Sequence, residues 1–164
     1  MVQATTIHRP LVRHESLRPL SRDHYQGLVQ SQRLIGAGCG TLADPSTVIQ
    51  DFLQVWEREI SPHFDDEERL LGPLIELPAD RLRLYHEHTA IRAMVVSVRA
   101  DLLRGTCDTE LVKGLGRVLH DHIRWEERVL FETLQDSLSP EQLQILARET
   151  KAIERARRRV SCGI

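Results

Sequence analysis

Apolar residues recur every three or four positions through five stretches of the chain, the spacing of one helical face. The first stretch covers about 21–37, with Ser21 as N-cap and the run Gly36-Ala37-Gly38-Cys39-Gly40 closing it. Asp44-Pro45-Ser46 restarts the chain for a second helix over about 46–71, which Gly72-Pro73 ends. Its inward stripe is Ile49, Phe52, Leu53, Trp56, Ile60, His63, Glu67 and Leu70. The third helix, about 79–103, carries Leu84, His88, Ile91, Val95, Val98 and Leu102 and stops at Gly105. Asp108 opens a fourth, about 108–134, with the stripe Leu111, Leu115, Val118, Leu119, His122, Glu126 and Val129. Ser139 as N-cap and Pro140 at the first helical position open a shorter fifth helix, about 140–158.

Residues 1–18 show no periodicity and read as an N-terminal arm, which leaves 19–164 as one domain. Four long helices with short connections predict an all-α fold, an up-down-up-down antiparallel four-helix bundle with an additional C-terminal helix. Pro62 interrupts the second helix. It removes one backbone donor and crowds the preceding turn, so a kink or break is expected just before His63.

The same periodicity sorts the eight histidines. His24 lines up with Leu20, Leu28, Ser31 and Ile35, while His63, His88 and His122 fall in the stripes above. His86 lies about 200° around the helix from His88, and His120 falls with Lys113, Arg117, Arg124 and Glu127. His8 and His14 belong to the arm. The inward polar set is therefore His24, His63, Glu67, His88, His122 and Glu126.

Four of these residues belong to a repeated phrase. His63 to Leu71 and His122 to Leu130 both read H-x-x-x-E-E-R-x-L, 59 residues apart. On a helix, His at i and Glu at i+4 point to one place, and imidazole with carboxylate is a ligand set for iron, zinc or manganese. A single inward His is ordinarily a hydrogen-bonded core residue, and a His–Glu network without metal is an alternative for the whole set. Two inward glutamates with no Lys or Arg on the stripes favour metal, because buried carboxylates are paired or coordinated. Four His and two Glu exceed the four ligands of a closed zinc site and suit two ions that share carboxylates. Glu59, one turn before His63, reads as a rim residue or an extra ligand. Asp23, Glu87 and Asp121 read as flanking surface acids, and Glu68, Glu127, Arg69 and Arg128 as rotated off the ligand face.

Composition narrows the function. Of 164 residues, 41% are apolar and 28% charged, the balance of a soluble protein with one core. A formal charge of −2 leaves no footprint for nucleic acid or an anionic membrane. The basic run Arg155, Arg157, Arg158 and Arg159 reads as a solvated helix end. Cys39, Cys107 and Cys162 are scattered and odd in number, which points to a reducing, cytoplasmic setting. No stretch approaches the length of a membrane span.

In order, the phrases Asp23-His24, His63-x-x-x-Glu67-Glu68, Glu87-His88-x-x-Ile91-Arg92 and His122-x-x-x-Glu126-Glu127 resemble the hemerythrin HHE cation-binding family. The resemblance spans about residues 20–135 and implies a four-helix bundle around a non-heme di-iron centre. It also implies two iron ions with an oxo or hydroxo bridge, held by His24, His63, Glu67, His88, His122 and Glu126. Oxygen-carrying members place a second histidine one turn before the third-helix ligand, where this chain has Leu84. They also end on an Asp five residues after the last His, where this chain has Glu126 four residues after it. The set is closer to the His/Glu-symmetric members, some of which sense iron or oxygen.

The expected function is thus a metal-binding module that binds or senses O₂, NO, peroxide or iron and redox state. A di-iron oxidase or peroxidase is the enzymatic alternative, and a structural or storage bundle holding zinc or iron is the third. Ferritin-like oxidases use Glu-x-x-His with more carboxylates, the reverse of the order found here. The expected partner is a small diatomic or peroxide ligand, and nothing in the sequence names a protein partner.

Overall fold

A computed structural model describes residues 12–41 and 44–161, with side chains placed through 157. Every regular element among them is helical. Helix α1 spans Arg18–Gly38, α2 Pro45–Val55 and α3 Ser61–Leu70, with a π-turn at Trp56–Ile60 joining the last two into one rod. A 3₁₀ turn at Gly72–Leu74 leads to α4, Pro78–Leu103. Helix α5, Thr109–Trp125, passes through a second π-turn, Glu126–Leu130, into α6, Phe131–Ser137. Helix α7, Pro140–Ser161, completes the bundle.

Local chemistry explains most of these boundaries. Asp44 accepts from the backbone N–H groups of Ser46 and Thr47 and so caps α2; Asp108 does the same for α5 through Glu110 and Leu111. Such a cap contributes about 1 kcal/mol. Helix α1 starts earlier than expected, after Leu17, because Pro19 fits the first turn without an N–H to satisfy. Ser21, the expected cap, is already helical and donates its own N–H to Leu17 O (2.9 Å).

Pro62 does not break its helix. The π-turn ends just before it, where Ser61 N–H reaches back five residues to Trp56 O. A π-turn loosens the backbone by one residue, and that slack accommodates the missing donor. The second π-turn has a different consequence. One extra residue advances the helical phase by about 100°, so Leu130 and Phe131 are buried while Val129, expected inward, is 44% exposed. At the end of α3, Leu71 is buried and Leu70 only half-buried.

Helix α1 packs most extensively on α5 and also on α2, while α4 packs on α5 and α2. A Cβ at Gly116 would come within 2.7 Å of Ser31 O and 3.0 Å of Ile35 N, so glycine is what lets α1 and α5 approach. The apolar core is split in two. One part holds Leu34, Phe52, Trp56, Phe64, Ile91, Leu115 and Ile123. The other holds Leu17, Leu20, Leu71, Leu84, Leu130, Phe131 and Leu146. On each rod, His24, His63 with Glu67, His88, or His122 with Glu126 fall between residues of the two clusters. They form a polar layer between the two apolar clusters.

Residues 1–11 of the expected arm, with His8, lie outside the described residues, as do Cys162 and the side chains of Arg158 and Arg159. Part of the described arm is packed. Ser16 and Leu17 are fully buried and Arg13 is 8% exposed. Thr150 on α7 donates to Ser16 O (2.9 Å), which ties the arm to the last helix.

Candidate metal centre

The structure brings all six sequence-selected side chains together. His24 comes from α1, His63 and Glu67 from α3, His88 from α4 and His122 from α5, and Glu126 opens the second π-turn. None is more than 4% exposed. Two overlapping groups have donor atoms close enough to share an ion: Glu67, His88, His122 and Glu126, and His24, His63 and Glu67. Glu67 belongs to both. Its Oε1 is 3.1 Å from His63 Nε2 and 3.3 Å from His24 Nε2, and its Oε2 is 3.5 Å from His88 Nε2. Glu126 spans the layer as well, at 3.2 Å from His24 Nε2 and 3.3 Å from His122 Nε2.

Of these contacts, the one between His24 Nε2 and Glu67 Oε1 is aligned as a hydrogen bond, and the others are not. Glu67 Oε2, both Glu126 carboxylate oxygens and both ring nitrogens of His63 are buried without a hydrogen-bond partner. His88 Nε2 and His122 Nε2 face each other at 3.0 Å, although two neutral imidazoles cannot both present a lone pair comfortably at that range. Orphaned buried acceptors are costly, about 1–3 kcal/mol each or more for charged groups. Cations held by the two groups would give Glu67 Oε2, the Glu126 oxygens and His63 Nε2 a partner. The donor set of imidazole nitrogens and carboxylate oxygens therefore fits metal ions.

The other ring nitrogens point outward, and each meets an acid. His24 Nδ1 donates to Glu127 Oε1 (2.6 Å), His88 Nδ1 to Glu68 Oε1 (2.8 Å) and His122 Nδ1 to Glu87 Oε2 (2.8 Å). His63 Nδ1 lies 3.4 Å from Asp23 Oδ2. A carboxylate at Nδ1 fixes the tautomer, so that Nε2 presents its lone pair to the centre, and it raises the basicity of the ring. Asp23 and Glu87 are half-buried against these rings, which corrects their reading as surface acids, while Glu68 and Glu127 lie off the ligand face as expected and support the rings from outside. The missed signal was adjacency. Each acid neighbours a centre residue in sequence, and a residue one position round its helix faces the next helix of the bundle rather than solvent. Asp23 of α1 serves α3, Glu68 of α3 serves α4, Glu87 of α4 serves α5, and Glu127 beyond α5 returns to α1.

Aromatic faces hold two of the rings in plane. Phe64 stacks on His88 with centroids 3.9 Å apart, and Phe131 stacks on His24 at 5.3 Å. Asp121, His86 and His120 stay away from the layer; His120, half-buried, bonds to Asp121 (2.9 Å). Glu59 is exposed, and with Asp23, His24, Ile60, His63 and Phe64 it lines a cavity of about 10 Å³.

Electrostatically, the metal-free layer behaves as a set of buried ion pairs. Burial alone would push His122 down, but the charge of the Glu126 carboxylate 3.3 Å away, with the hydrogen bond to Glu87, carries it up to about 9. His24, His63 and His88 are raised for the same reason, against the same opposing effect of burial. Burial and the mutual repulsion of Glu67 and Glu126 would raise Glu126, yet His122 and His24 hold it well below the usual carboxylate range. Glu67 is likewise lowered against its burial, chiefly by His63 and His24. Metal and protons therefore compete for the same lone pairs.

Comparison with known proteins agrees with this geometry. Over 112 residues the chain is 28% identical to a protein named DNA nickase from Nostoc sp. (strain PCC 7120 / SAG 25.82 / UTEX 2576), a match covering 66% of this chain. The chain spans 32% of the length of that relative. No solved structure gives a significant match. The model of the hemerythrin HHE cation binding domain matches residues 12–134, which includes all six centre residues and their four outer acids. On that match, the chain belongs to the hemerythrin HHE cation binding domain family.

Proposed function

We propose that this chain is a di-iron module that binds or senses a small ligand, in an up-down-up-down antiparallel four-helix bundle with α7 appended. His24 and His63 would hold one ion and His88 and His122 the other, with Glu67 and Glu126 shared between them. The observation that carries this reading is the position of Glu67, whose two oxygens face the histidines of both halves. When bound, such a pair of ions supplies redox-active coordination sites for O₂, NO or peroxide. The protein's own contribution is to fix the Nε2 lone pairs, exclude bulk water with Phe64, Ile60 and Phe131, and limit what can approach. A cavity of about 10 Å³ at His63 admits something of the size of a water molecule.

That size also bears on the relative named DNA nickase. The centre residues are at most 4% exposed, so a phosphodiester backbone has no path to them, and this centre is better suited to a diatomic ligand than to DNA. The His-x-x-x-Glu order on two helices, the reverse of the Glu-x-x-His order of ferritin-like oxidases, favours binding or sensing over an oxidase. Adding NO to the iron-loaded protein under anaerobic conditions tests the reading. A new visible absorption band that titrates to saturation supports it. No spectral change with NO, together with sustained peroxide turnover in the presence of a reductant, would replace it with the enzymatic alternative.

A further inference from the structure

The four outer acids are each gripped by an arginine, and the sources of those arginines are unequal. Glu68, the partner of His88, accepts from Arg92 (2.6 Å), and Glu87, the partner of His122, accepts from Arg83 (2.7 Å). Both arginines sit on α4, within the bundle that also bears His88. The other half draws its arginines from the chain's extensions. Glu127, the partner of His24, accepts from Arg13 of the N-terminal arm (2.7 Å). Asp23, which faces His63, pairs with Arg157 near the end of α7.

We propose that Arg13 and Arg157 are positioning residues for the His24/His63 half of the centre, so that docking of the arm and of α7 sets how tightly that half holds its ion. The inference rests on the two-ion reading above. Arg13 is 8% exposed, donates to both the carboxylate and the main-chain oxygen of Glu127, and lies over the Phe131 ring that stacks on His24. Arg157 bridges Asp23 and Asp66, joining α7 to α1 and to the helix that carries His63. An acid that loses its arginine is free to turn toward water. Its histidine then loses the contact that orients Nε2 and strengthens it as a donor. The His88/His122 half keeps Arg92 and Arg83 whatever the extensions do.

Anaerobic titration of the metal-free, full-length protein with Fe(II), followed by spectroscopy and calorimetry, tests this. The wild-type chain takes up two equivalents on this account. In Arg157→Gln one equivalent binds as before and the other about 10-fold more weakly, the scale of lost outer-shell support. Arg157→Lys restores part of the loss, because an ammonium still offers Asp23 a point charge. Arg157→Gln adds nothing in an Asp23→Asn background, which a purely structural role of the arginine would not give. Arg13→Gln weakens the same equivalent; if its buried site prevents folding, the half-buried Arg157 decides the matter. Folded Arg157 variants that bind both equivalents like wild type, or losses that add to Asp23→Asn, would overturn the proposal. A wild-type chain that takes one equivalent refutes the two-ion reading itself, and the inference falls with it.

Discussion

Glu87, one residue before His88, places its carboxylate 2.8 Å from the Nδ1 of His122 on the neighbouring helix. The acid beside one centre residue thus orients the centre histidine of the next helix. Glu87→Gln keeps the shape and an acceptor but loses the charge that strengthens His122. Metal affinity should fall about 10-fold or more, whereas His86→Ala, on the outer face of the same helix, should retain full metal. Metal titration of both variants checks the contrast; equal affinity would remove Glu87 from the site.

Glu67 and Glu68 are adjacent and chemically identical, yet only Glu67 faces both groups of histidines. Glu67→Ala should therefore lose most bound metal. Glu68→Ala should keep metal at an affinity reduced about 10-fold through His88. Metal content after dialysis separates the two, and equal retention would refute the assignment.

Removing metal should expose a pH dependence of stability. His122 is held at about 9 in the folded, metal-free protein, above its ordinary value near 6.5, so the stability it contributes is present below the ordinary value and lost as pH rises through about 9. Glu67 and Glu126 are lowered, so their contribution is present above the ordinary carboxylate range and lost only in strong acid. Thermal melts of metal-free protein should show the midpoint falling between about pH 7 and 10. The loaded protein should instead weaken toward acid pH, where protons displace the metal.

The second π-turn makes a packing prediction. Val129 is 44% exposed and Leu130 1% exposed. Val129→Ala should change stability by no more than about 0.5 kcal/mol, and Leu130→Ala should cost about 2–5 kcal/mol. Denaturant unfolding measures both. The reverse order would mean that the helix keeps its α phase past Glu126.

Gly116→Ala should cost about 1–3 kcal/mol, despite alanine's better helix propensity, because its Cβ would meet the α1 backbone at Ser31. A stabilised variant would show that α1 and α5 have room to separate.

Much of this was readable in the sequence because helical periodicity reports burial directly. His24, His63, His88 and His122 sat on apolar stripes, and the structure buries all of them. Val129 failed because a π-turn changes the period mid-helix, and no residue in Glu126–Leu130 announces one. Pro62 did announce trouble, but the backbone absorbed it by an inserted residue rather than a break. The outer acids failed for another reason. A helical wheel tells which face a residue occupies, not whether that face meets solvent or the next helix, so Asp23 and Glu87 looked like surface groups. Arg13 and Arg157 were beyond reach, because their partners lie 114 and 134 residues away in the chain.

Two ions between these four histidines and two glutamates are what the proposed function requires. Metal analysis with an optical spectrum of protein purified in air tests it most directly. Two irons per chain, with ligand-to-iron charge-transfer absorption in the near ultraviolet and visible, is the expected result. One zinc per chain and no colour would contradict it.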